Sequence, residues 1–149
     1  MSDIKQLERR LVDFDSNLYH QVVDLRYRVL RQPLGMQFSE EQLKKEGGYL
    51  HLALLQNNQP VATLQLLQSD RPDHMQMKQV AVDPDLQGRG IGAELIRFAE
   101  DEARQRGIHL LFCHARETAV PFYLQQNYTI IGDVFSEIGI PHYYMEKYL

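Results

Sequence analysis

The feature that most constrains this chain is a strand that runs into a glycine-rich turn and reopens as a helix. Val80-Ala81-Val82 is a short β-rich run. Asp83-Pro84-Asp85-Leu86 turns the chain, and Gln87-Gly88-Arg89-Gly90-Ile91-Gly92 follows. From about residue 90 to residue 105 the spacing predicts a helix, with Ile91, Leu95, Phe98 and Ala99 on its apolar face. Gly107 is placed to stop it. Glycines in such a turn can take φ > 0 and let a ligand approach the backbone. The first helical N–H groups have no partner within the helix, and the helix dipole favours an anion there. The segment is therefore a phosphate cradle in principle, and Arg89 adds a positive charge to it.

The remaining pattern places this unit in a mixed sheet. Ser16 is positioned to cap a helix through Leu18, Val22, Val23, Leu25, Val29 and Leu30, with Arg26, Arg28 and Arg31 on its more polar side. Gln32-Pro33-Leu34-Gly35 ends it. Ser39 and Gln42 resemble a capping box for a short second helix. Residues 49–56 and 61–67 read as strands joined by Asn57-Asn58-Gln59-Pro60, which favours an antiparallel hairpin. A third strand covers 74–82. Residues 108–113 are nearly all apolar, as in a central strand of a parallel pair. Residues 117–126 read as a short helix, with Pro121 tolerated in its first turn. Residues 129–134 and 142–148 are the last predicted strands. The expectation is one α/β domain over residues 1–149, of the α+β kind, with helices flanking a mixed sheet.

Composition narrows the function. The 149 residues suit one domain and need no disulfide or metal to hold a core. Cys113 is the only cysteine, so neither an intrachain disulfide nor a Cys-x-x-Cys metal knuckle can form. The net charge of −4 argues against a nucleic-acid or anionic-membrane partner, which needs a basic face. No apolar run approaches the roughly 20 residues of a membrane span. The start, Met1-Ser2-Asp3-Ile4-Lys5-Gln6, lacks a signal-peptide pattern, so a cytoplasmic protein is expected.

Three phosphate-binding readings compete for the glycine turn. Gly88, Gly90 and Ala93 satisfy the dinucleotide pattern G-x-G-x-x-G/A. That site needs an acidic residue about 20 positions on, and here the chain reads Leu111-Phe112-Cys113-His114-Ala115. A P-loop fails because no Gly-Lys-Ser/Thr occurs in the chain. The third reading is an acyl-coenzyme A pyrophosphate site. Gln87-Gly88-Arg89-Gly90-Ile91-Gly92 matches Gln/Arg-x-x-Gly-x-Gly/Ala, and Phe122-Tyr123 precedes the turn Asn127-Tyr128. In these motifs the sequence resembles the GNAT superfamily of N-acetyltransferases. Leu25-Arg26-Tyr27-Arg28-Val29-Leu30 looks like the family's first helix. The tail Glu137-Ile138-Gly139-Ile140-Pro141-His142 looks like that of a small bacterial subgroup.

The resemblance implies a fold with a splayed central strand pair that binds acetyl-CoA. Backbone groups of Val80 and Val82 would pair with the pantetheine arm, while the Ala81 side chain packs inward. Backbone N–H groups from Gly88 through Arg89, Gly90 and Ile91 to Gly92 would hold the pyrophosphate, with Gln87 opening the motif. The implied reaction is direct attack of a primary amine, on a small molecule or a peptide, on the thioester. Tyr123 matches the family's general acid; the alternative is a core tyrosine. The carrier strand offers Gln76, Lys78 and Gln79 and no carboxylate, which leaves the base to Glu137 or His142. That absence also motivates a second reading, a non-catalytic acyl-CoA-binding module. Arg116 stands where many relatives carry an asparagine that touches pantetheine. Asn127 replaces the usual glycine and can still take φ > 0. Cys113 and His114 alternate faces of a strand and cannot pair. The acceptor pocket is expected near residues 26–38 and 135–144. Small members of the family commonly form homodimers.

Overall fold

The computed structural model describes residues 6–149, so the signal-peptide expectation read from Met1 to Gln6 falls, but for Gln6, outside the described residues. The elements are β1 (Glu8–Val12), α1 (Asn17–Arg26), α2 (Glu40–Lys45), β2 (Leu50–Gln56), β3 (Gln59–Gln68), β4 (His74–Val82), α3 (Ile91–Gln105), β5 (Leu110–Arg116), α4 (Val120–Gln125), β6 (Thr129–Ile130), β7 (Phe135–Glu137) and β8 (Ile140–Tyr148). They form one mixed sheet in the order β1-β2-β3-β4-β5-β8-β6, with β7 added against β8. Among the described residues only β4 and β5 run parallel, and α3 is the crossover between them. No helix among the described residues is long and apolar enough to cross a membrane.

Both faces of the sheet are covered, which explains why β2 reads as an unbroken apolar run. Leu52 and Leu54 join the main core with Leu95, Ile96 and Ala99 of α3. Ala53 and Leu55 point the other way, into a smaller cluster with Tyr19 and Val22 of α1. The period of two in a strand puts alternate residues on opposite faces, so a strand covered twice shows no polar alternation. Asn57 and Asn58 both have positive φ, the backbone of a tight hairpin turn between β2 and β3.

Several local expectations meet the structure closely. Ser16 Oγ accepts from the Tyr19 N–H at 3.1 Å, and Ser39 Oγ accepts from the Gln42 N–H at 3.1 Å. Ile91, Leu95, Phe98 and Ala99 are buried on α3, and Gly107 follows it at φ +75°. Two strand expectations change. The strand read over 129–134 stops at Ile130, because Gly132 turns the chain at φ +85° and Phe135–Glu137 then pairs separately with β8. β1 was not legible, since an edge strand with only Val12 buried carries no alternation.

The largest departure concerns α1. Arg26 is fully buried and Arg31 nearly so, not solvated on a polar face. After Arg26 the helix widens into a π-turn, Tyr27–Arg31, in which the Gln32 N–H reaches back to the Tyr27 carbonyl. Such i→i+5 bonding brings residues five apart onto one face, against the 3.6-residue period read from sequence. Arg26 then meets Glu46 bidentately, at 2.8 and 2.6 Å, and the Tyr19 hydroxyl donates to the same carboxylate at 2.8 Å. Burial alone would raise the Glu46 pKa, but Arg26, with a contribution from Tyr19, holds it below the usual carboxylate range.

Removing one member of a buried pair strands the other charge. Glu46→Ala is therefore expected to lower the unfolding free energy by about 3–5 kcal/mol, measured by urea denaturation. In the wild type the Glu46 contribution is fully present above its unfolded pKa of about 4.3. It is lost as pH falls through the lower folded value, so acid titration of stability should flatten in Glu46→Ala.

Candidate active site

A β-bulge opens the sheet at its centre. β3 pairs with β4 through Gln65–Lys78 and then Thr63–Ala81, so Gln79 and Val80 stand together opposite Leu64. Gln79 takes φ +55° to make the bulge. On the other edge, β4 pairs with β5 only from His74–Leu110 to Met77–Cys113. Beyond that point β5 continues to Arg116 on β8, and β4 continues to Val82 on β3 alone. The extra residue bends the bulged strand. From Lys78 onward the β4 edge facing β5 carries no ladder, which leaves backbone donors and acceptors open to an extended ligand.

At the far end of this edge, Asp83 turns the chain and its side chain accepts from the Asp85 N–H at 3.0 Å. Gln87 Nε2 donates to the Val82 carbonyl at 3.4 Å, which draws its side chain back onto the loop. Gly88 and Gly90 have φ +82° and +79°, and Gly90 is the N-cap of α3 with no side chain capping it. Ile91 and Ala81 are buried, so only their backbone groups can meet a ligand. Gly92 is needed for space: a Cβ there would lie 2.9 Å from the Phe122 ring. These features fit an extended, phosphate-bearing ligand: an unpaired strand edge, then uncapped helical N–H groups behind a glycine turn.

Between the parted strands lies a cleft of about 430 Å³. Tyr123, Glu137 and His142 all line it, as do Val80 and Arg116. The glycine turn does not; it lies beyond the cleft along β4. Tyr123 comes from α4, where Phe122 and Tyr128 meet its ring edge-on at centroid distances of 5.1 and 5.9 Å. Burial, with a smaller contribution from Cys113, pushes its hydroxyl well above the usual phenol pKa, so it stays protonated at neutral pH. Asn127 takes φ +70° in the turn that carries Tyr128 into place. Cys113 is buried, and burial pushes its thiol pKa up to about 12, which rules out a ready thiolate nucleophile.

Glu137 sits between two histidines. His114 Nδ1–H donates to Glu137 Oε1 at 2.9 Å. His142 Nδ1–H donates to the Ile140 carbonyl at 2.8 Å, so in the neutral ring Nε2 carries the lone pair. That nitrogen lies 3.7 Å from Glu137 Oε2. Two acceptors at this spacing suit a donor held between them, such as water or an amine. Arg116 Nη2 donates to the Leu30 carbonyl at 3.1 Å, tying the end of β5 to the π-turn.

Sequence reasoning missed His114 and Arg31. In the sequence His114 stands beside Cys113, whereas its partner is 23 residues away. Arg31 was misplaced by the helical period. Its burial had no local signal.

The sequence matches the family described as Acetyltransferase (GNAT) domain over residues 18–149. The fold is shared with an N-acetyltransferase assignment from Lactobacillus plantarum, at 26% identity and TM-score 0.85, covering 96% of this chain and 98% of that one. Escherichia coli ElaA is similar at 19% identity and TM-score 0.79, covering 95% and 99%. A GNAT family acetyltransferase from Elizabethkingia anophelis, solved with acetyl-CoA bound, is similar at 16% identity and TM-score 0.72, covering 97% and 99%. The chain belongs to the GNAT acetyltransferase family.

The β7–β8 hairpin over the cleft is strained. Glu137 pairs with Ile140, which leaves Ile138 and Gly139 as its two-residue turn, at φ +47° and +72°. A β-branched residue is an outlier there, where asparagine before glycine is preferred. Yet Ile138 lines the cleft. Ile138→Asn is expected to raise the unfolding free energy by about 1 kcal/mol by relieving this strain. Thermal melts of the wild type and the variant would check this.

Proposed function

We propose that this protein is an N-acetyltransferase that moves an acetyl group from acetyl-CoA to a primary amine by direct attack. The observation that carries the reading is the bulge-driven parting of β4 and β5, with a protonated, buried Tyr123 on the cleft between them. Acetyl-CoA would supply an activated acyl group. The free β4 edge around Val80 and Val82 would hold its pantetheine arm as an added strand. Backbone N–H groups of residues 88–92 would hold its pyrophosphate.

The chain's own residues then manage two protons. Glu137 and His142 Nε2, 3.7 Å apart on the cleft, would take one from the amine, whose pKa in water is about 10 if it is lysine-like. Tyr123 donates the other to the departing sulfur. A phenol with a raised pKa is a weak acid, so the thiolate must be a strong base for this transfer to proceed.

The competing reading, a non-catalytic acyl-CoA-binding module, rested on the lack of a carboxylate on β4. Glu137 reaches the same cleft from β7, which favours the enzyme. Acetyl-CoA at 100 times its Kd should stabilise the protein by about 2.7 kcal/mol, a shift of several degrees in Tm, and NADH should not. Tyr123→Phe should keep that shift and lower kcat by about a hundred-fold or more. A variant that turns over as fast as the wild type would remove Tyr123 from the mechanism. No shift with acetyl-CoA would remove the ligand itself.

A further inference from the structure

The cleft has the opposite charge balance to the rest of the protein. Its lining carries three permanent cations, Arg31, Lys78 and Arg116, against one carboxylate, Glu137. The whole chain carries a net charge of −4. Glu137 is already engaged by His114.

Arg31 is the unusual member. Its residue is only 9% exposed, yet among the described residues its guanidinium has no ion pair and no hydrogen bond. The contrast with Arg26, five residues earlier, is direct. Both guanidinium carbons lie against the Phe38 ring, at 4.6 and 4.8 Å from its centroid. Arg26 spends its charge on Glu46. Arg31 has the aromatic ring alone, and a ring quadrupole replaces little of the water that burial removes. Burial, then repulsion from Arg116 and Arg26, push its pKa down, and Glu137 only partly opposes this. A charge so largely withdrawn from water, on a side chain that lines the cleft and whose nitrogens are not sealed off, gains by meeting an anion there. Arg116 is held beside it through the Leu30 carbonyl and has further N–H groups to offer.

We infer that Arg31, supported by Arg116, holds the carboxylate of the acceptor, so that the preferred substrates are small amines that also carry a carboxylate. This rests on the acetyl-transfer reading and specifies its acceptor. A planar guanidinium binds a carboxylate by two parallel hydrogen bonds and thereby orients the rest of the molecule. The amine end would then face the Glu137 and His142 acceptors, and the cleft volume of about 430 Å³ suits a small molecule.

The test pairs ligands that differ only in the anion: β-alanine with ethylamine, γ-aminobutyrate with propylamine, and lysine with cadaverine. Aminopropylphosphonate serves as a phosphonate arm. Binding is measured by calorimetry with CoA present, and turnover by thiol release with acetyl-CoA, in wild type and in Arg31→Met and Arg31→Lys. The amino acid is expected to beat its plain-amine partner in the wild type. Arg31→Met should cut that preference by about ten- to a hundred-fold, the worth of hydrogen bonds to a charged group. Arg31→Lys should retain part of it.

Arg31→Met should also melt higher than wild type, because it removes an unpaired charge largely withdrawn from water. A merely structural arginine would give the reverse, and a lower Tm would overturn the inference. So would an equal preference for plain amines, a stronger response to the phosphonate, or a loss of acetyl-CoA affinity in Arg31→Met. Amino-acid binding that depends on Arg31, without turnover of any amine, would sustain the carboxylate site and sink the acetyl-transfer reading instead.

Discussion

The structure depends on one missing ladder. β4 and β5 begin as a parallel pair and part after Met77 and Cys113. Interior backbone N–H and C=O groups cannot be left without partners at low cost. A sheet that opens at its centre therefore survives only if each half is anchored from outside. β4 is anchored by β3 across the bulge, and β5 by β8 along its full length. α3 packs across β2, β3 and β4, so the helix that closes the crossover also braces the opening. The edges of β4 and β5 that face each other beyond Met77 and Cys113 are left without a ladder.

A second balance governs charge. Arg26 and Glu46 form a neutral buried pair with the Tyr19 hydroxyl on the same carboxylate. A buried pair of this kind contributes little net stability against an apolar substitute, but it is costly to break. Its effect here is positional. It holds Phe38 and the π-turn in place, and Arg31 follows on that turn with its charge unspent. Strain is spent in the same region, at Gln79 in the bulge and at Ile138 in the hairpin turn. Both line the cleft, in keeping with the tendency of strained backbone to gather at functional sites.

Tyr123 links packing to proton control. The residues that bury it, Phe122 and Tyr128 among them, belong to α4 and the turn that follows. They raise its pKa by excluding water, and the neighbouring Cys113 thiol responds to the same exclusion. The Tyr128 hydroxyl is engaged elsewhere, by Glu100 of α3, which also receives Lys147. Two tyrosines five residues apart thus differ in setting. One faces the cleft and the other ties α4 to the far helix.

The sequence by itself determined the glycine turn with its helix, the Asn57-Asn58 hairpin, both serine caps and the central strands. Each depends on backbone preferences and apolar spacing within a few residues, and such signals survive without knowledge of the fold. Tyr123, Glu137 and His142 could be named as candidates from motif and tail, but not brought to one cleft. Only the tertiary structure decided that His114 meets Glu137, that Arg26 and Arg31 are buried, and that β1 exists. Those outcomes turn on partners far along the chain, on a π-turn that breaks the helical period, and on an edge strand too exposed to show a pattern. The positive charge of the cleft in an acidic chain was likewise invisible. Net charge sums over a sequence, whereas the field in a cleft is set by which few charges the fold leaves unpaired there.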